Sequence, residues 1–200
     1  MHNIIIKFKQ LVNANIVAAM AIFLILFCWS AYSLYILNQS PIYSENGLLE
    51  NIQVFVLFIA CFAFILPIIF QNRTDKLILL FFGLLCYSFI LREIDVEDLN
   101  IPNILKLIGS GAGRNIILAT GFIAMLVYFI FNITHYKNVL RSVLTSRFAT
   151  LIIMGGVGLY TGDVFENMYS IQHHVFLEEI SELFGYVFIL LSAFTYSENV

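Results

Sequence analysis

"HHVFLEEISELFGYVFILL", His173–Leu191, joins three carboxylates to a long apolar run, and how it is read decides the fold. The uncharged part, carried on to Ser197, holds fifteen residues. A helix needs roughly 20 residues, at about 1.5 Å rise each, to cross about 30 Å of hydrocarbon. Fifteen residues reach only about 22 Å. The span is therefore expected to run back through Glu182, Glu179 and Glu178, which sets a polar layer inside one end of the membrane.

Composition agrees with a membrane protein. The chain has 200 residues, 60% hydrophobic and 12% charged, with a mean hydropathy of +0.91. A soluble domain carries about a quarter charged residues. The expected class is an all-α polytopic membrane protein, residues 1–200 forming a single integral membrane domain. A net charge of −3 argues against nucleic acid as a partner, since that would need a basic face. Cys28, Cys61 and Cys86 stand singly in apolar runs and read as small buried hydrophobes.

Uncharged apolar runs occur at Ile16–Leu37, Ile52–Phe70, Leu77–Leu91, Asn115–Ile133, Phe148–Gly162 and Leu183–Ser197, which predicts a bundle of six transmembrane helices. The opening "MHNIIIKFKQLVNAN" reads as the approach to an uncleaved first span. Alternating the loops puts Lys7, Lys9, Arg73, Lys76, Lys137, Arg141 and Arg147 on one side, and Arg92, Lys106 and Arg114 on the other. Basic residues favour the cytoplasm, so both termini are expected there, in the inner membrane of a bacterium. Of the acids only Asp75 and Glu198 fall inside; the other eleven map outside. Acids do little to orient a protein, so their asymmetry calls for another explanation.

The third and fifth runs are as short as the sixth, fifteen residues each, and fall short at the same outer end. Their helices are expected to continue through Arg92 and Glu93, and from Asp163 through Glu166. The acids that gather there are Glu50, Glu93, Asp95, Asp163, Glu166, Glu178, Glu179 and Glu182. Glu178 and Glu182 are four apart, Glu179 and Glu182 three, and Asp163 and Glu166 three, so each pair shares a helix face. Ionisable groups at depth usually mark a site. Asp163, Glu182 and Glu93 are the expected catalytic groups, because nearby carboxylates in a low dielectric divide into one acid and one base. Asp163, Glu166, His173, His174, Glu179 and Glu182 offer ligands for a divalent metal ion as the cofactor.

Between the third and fourth runs lies "NIPNILKLIGSGAGRN", Asn100–Asn115. Apolar residues at helical intervals after Pro102 predict a short interfacial helix over Ile101–Ile108. The glycines entering the fourth helix, beside Arg114, could cradle an anion. Arg92, Arg114 and Ser110 are accordingly expected to bind the anionic headgroup of a substrate. In "GGVGLYTGD", Gly158 and Gly162 are four apart with Gly155 nearby, a spacing that permits close helix packing and is expected to carry Asp163 inward.

The outline is similar to the rhomboid intramembrane proteases in its serine before the fourth helix. Ser110, however, sits in IGSG rather than their GxSG, and the last span has no AHxxG. Membrane zinc hydrolases related to alkaline ceramidase carry separated histidines, and the second and third runs here have none. No family is assigned. The expected function is that of a membrane-embedded enzyme acting on a lipid or lipid-linked substrate from an acidic cavity in the outer half of the bilayer, with membrane lipids as partners. A cation or proton transporter, or an accessory subunit of a membrane complex, are the alternatives.

Overall fold

The computed structural model describes residues 20–21, 24–25, 27–32, 47–70, 75–94, 96, 102–171 and 173–196, the side chains of 104, 105 and 108 excepted. All regular structure among them is helical. Seven helices follow in order: α1 Leu48–Phe70, α2 Lys76–Glu93, α3 Asn103–Gly109, α4 Gly111–Phe131, α5 Ile133–Leu144, α6 Arg147–Glu166 and α7 His174–Tyr196. Residues 27–32 are also helical; the rest of the first apolar run, both termini, Asp95, Glu97 and Asp98 lie largely outside the described residues.

Five of the helices cover the second to sixth apolar runs and extend into their charged flanks. Helix α2 runs through Arg92 to Glu93, α6 through Asp163 to Glu166, and α7 begins ahead of Glu178. Among the described residues α1, α4 and α6 are long and apolar enough to cross a membrane. Helix α2 carries Lys76, Arg92 and Glu93 within its 18 residues. Helix α7 carries three glutamates in its first half. Two short helices join the longer ones. Helix α3 follows Pro102, as the spacing predicts, whereas α5 was expected as a loop.

The chain divides into two compact units, Met1–Ile52 with Leu151–Val200, and Gln53–Thr150; the division falls inside α1 and inside α6. In the first unit α6 and α7 meet over glycines. A Cβ on Gly158 would stand 2.8 Å from the Gly185 Cα, one on Gly155 3.1 Å from the Gly185 carbonyl oxygen, and one on Gly162 2.6 Å from the Glu182 Cγ. Side chains are missing where the backbones touch, and van der Waals contact replaces them.

In the second unit the core is aromatic. Phe64 of α1 stacks on Phe82 of α2 at 5.5 Å between ring centres, and Phe148 meets both edge-on, at 6.4 and 5.0 Å. Phe81 reaches Phe122 of α4 at 5.7 Å. Each such pair adds about 0.5–1.5 kcal/mol beyond its buried area. Gly121 of α4 admits Leu84 of α2, whose Cδ2 would lie 2.9 Å from an added Cβ.

Candidate functional site

The expected site residues fall into two groups, one in each unit. In the first unit α7 is buried along most of its length, and Glu179 and Glu182 are buried with it at 9% and 5% exposure. Glu178 is half-buried. One turn of helix separates Glu179 from Glu182, so the two share a face. The Glu182 stem packs where Gly162 lacks a side chain.

Successive helical residues turn by about 100°. Gly162 is therefore the residue that faces α7, and its neighbour Asp163 is exposed, as is Glu166. The glycine packing does not carry Asp163 inward as expected. Asp163 serves the turn after α6 through its backbone, where its carbonyl accepts a hydrogen bond from Asn167 Nδ2 at 2.9 Å. His173 adopts φ 61, a left-handed conformation, and His174 packs its ring edge-on against Tyr169 at 5.4 Å. Among the described residues no three His, Cys, Asp or Glu side chains are grouped to hold a metal ion.

The second group surrounds the joints between α2, α3 and α4. Helix α2 ends when Ile94 turns extended, at φ −94 and ψ 117. The last carbonyls of a helix lack partners within it. Arg114, one turn into α4, supplies one: its Nη1 donates to the Leu91 carbonyl at 2.9 Å. Arg92 Nε donates to Glu93 Oε1 at 3.0 Å, so this expected catalytic acid belongs to an ion pair in the second unit, while Asp163 and Glu182 are residues of the first.

Helix α3 passes into α4 through Ser110, extended at φ −126, and Gly111 at φ 52. Only glycine takes that second conformation without strain. An added Cβ on Gly109 would meet Val96 Cγ1 at 2.9 Å, so the glycine lets the α3 end close against residue 96. Ser110 Oγ does not cap α4; it donates to the Lys106 carbonyl at 2.7 Å.

Arg92, Ser110 and Arg114, with Leu91, Ile94, Val96, Gly109 and Gly111, line one cavity of about 280 Å³. The three residues expected to bind substrate thus come together. Two arginines line this one small space, Arg92 beside its Glu93 partner, and an anion is what a guanidinium attracts. A guanidinium has five N–H donors, and the bond to Leu91 uses one of those on Arg114.

The sequence reading missed α5 and what it encloses. Tyr136 of α5 is buried, its ring 6.2 Å from Tyr128 and 5.9 Å from Phe129 of α4. Its hydroxyl hydrogen-bonds the Leu77 backbone at the first turn of α2. Burial pushes the Tyr136 phenol above its ordinary value of 10.0, and nearby Tyr128 adds to the shift. A signal was present: Ile133 and then Tyr136, Leu140 and Val143 of "THYKNVLRSVLTSR" recur at helical spacing.

No protein-family model, curated protein or solved structure matches this chain.

Proposed function

We propose that the chain is a polytopic membrane protein of six spans, with both termini cytoplasmic, that binds the anionic headgroup of a lipid or lipid-linked substrate. Arg92, Ser110 and Arg114 hold the headgroup, and α3 lies in the outer interface beside it. The single observation that supports this most is the shared cavity of about 280 Å³, which the two arginines and the serine line together. That volume fits a phosphate-bearing headgroup rather than a whole lipid, whose chains would remain in the bilayer. Glu182 and Glu179, the buried carboxylates of α7, are a second element of the proposal, an acid/base pair in the first unit considered by itself. A divalent metal is a further element of the proposal, tested by metal analysis of the purified protein.

The test is lipid retention. Full-length protein is delipidated in detergent and offered phosphatidylglycerol or phosphatidylcholine, and bound lipid is counted by native mass spectrometry. Retention of the anionic lipid, lost by roughly tenfold or more in Arg114→Gln, is expected, since a charge-assisted hydrogen bond is worth about 1.5–3 kcal/mol. Equal retention of both lipids by the parent would refute the reading. Sidedness is tested by Ser110→Cys in a chain whose three cysteines are replaced by alanine: labelling from outside is expected, and labelling only after the membrane is opened refutes it.

A cation or proton transporter is the second reading, favoured by the same burial of Glu179 and Glu182 on one helix. Proton flux in liposomes that is lost in Glu182→Gln would establish it over the first.

A further inference from the structure

Helix α5 is short, amphipathic and basic, and it joins two helices that are each long and apolar enough to cross a membrane. One residue, Asn132, connects it to α4, and two residues, Thr145 and Ser146, connect it to α6. If α4 and α6 cross the bilayer, α5 has no length of chain with which to leave its surface. Its twelve residues span about 18 Å, so it must lie close to where the two spans emerge.

The arrangement of its faces says what meets it there. At about 100° per residue, the apolar residues of α5 occupy an arc of roughly 140°. One part of that arc, Tyr136 and Val143, is buried in the protein. The other part is left out: Leu140, Ile133 and Leu144 are 40%, 53% and 64% exposed. Lys137 and Arg141, one turn apart, border this uncovered part, and both are exposed. Among the described residues neither has an acidic partner, and the sequence holds no Asp or Glu from Leu99 to Gly162. An apolar edge bordered by unpaired cations suits a surface that is oily below and negative above.

We propose that α5 is an interfacial anchor that collects anionic phospholipids around the protein, its uncovered apolar edge among the upper acyl chains and Lys137 and Arg141 among the phosphates. This goes beyond the headgroup cavity and does not depend on it. It rests on α4 and α6 crossing the bilayer.

A local probe tests it. Trp29, the only tryptophan, is replaced by phenylalanine, and Leu140→Trp reports from α5 in the full-length protein reconstituted in mixed vesicles. Chain-brominated lipids, carrying either a phosphoglycerol or a phosphocholine headgroup, quench a tryptophan they touch. Stronger quenching by the anionic lipid at equal mole fraction is expected, with the preference collapsing at high salt. Lys137→Gln with Arg141→Gln should reduce that preference by up to roughly thirtyfold, and Lys137→Arg with Arg141→Lys should keep it. Arg114→Gln should leave it unchanged, which separates this anchor from the cavity. Equal quenching by the two lipids, a preference that survives the double glutamine substitution, or no quenching by either would each overturn the proposal.

Discussion

The two compact units reach close packing by opposite means. Where α6 meets α7, the chain takes side chains away, and Gly155, Gly158, Gly162 and Gly185 let backbone lie on backbone. Around Phe64, Phe82 and Phe148 it adds the largest rings available and fills the space between helices with them. Between helices in hydrocarbon, water supplies little driving force, so contact area itself must hold them together. A glycine seam gains area by approach, a ring cluster by volume. The first tolerates no addition and the second no removal.

The strongest challenge to this contrast is Phe64→Ala. The ring is fully buried against two others, and its loss should cost about 3–5 kcal/mol, read as a large drop in melting temperature in detergent. A drop of only a degree or two would mean the cluster is dispensable. Next comes Gly158→Ala. Its Cβ would meet Gly185 backbone atoms at 2.8 Å, which cannot rotate aside, so a cost of about 1–3 kcal/mol is expected. Gly162→Ala should cost less, because the first obstacle is the Glu182 side chain. The same thermal scans rank the two, and the reverse order would show that Glu182 is held more rigidly than the backbone beside it.

Tyr136 offers a smaller effect, through pH. Its phenol titrates above the ordinary value of 10.0 because burial disfavours the charged form. A raised value in the folded chain means a contribution that is complete below the ordinary value and lost as pH rises through the folded one. Stability should therefore fall in strong alkali, and Tyr136→Phe should remove that part of the fall. A variant with an unchanged alkaline profile would assign the loss to other groups. The smallest effect is expected at Gly156, where an added Cβ meets nothing within 4 Å. Gly156→Ala should be neutral or stabilise by up to about 1 kcal/mol, through helix propensity alone.

The sequence was informative wherever one physical signal dominated. Length showed that the third, fifth and sixth apolar runs were too short, and the helices do continue through Glu93, Glu166 and Glu178. Spacing showed that Gly155, Gly158 and Gly162 share a face, although nothing in it pointed to Gly185 as their partner. It also could not say which way Asp163 turns, since that depends on the rotation of α6 about its axis. Helix α5 escaped notice because its charges and hydroxyls resemble a loop, and its apolar stripe is too narrow to suggest a span. Arg92, Ser110 and Arg114 were grouped by expected chemistry, but their shared cavity depends on Ile94 and Gly111 turning the chain.

The seals on α2 also have an order in time. Arg114, which closes its last turn, is made twenty-three residues after Leu91; Tyr136, which meets its first turn, is made fifty-nine after Leu77. At synthesis rates of about 5–20 residues per second, the later interval lasts roughly 3–12 seconds. A nascent α2 thus has its exit end finished before its entry end. Until Tyr136 emerges from the ribosome, the Leu77 backbone group that it meets must be satisfied by water or by the insertion machinery, which makes the birth of α5 the step that completes a helix made long before it.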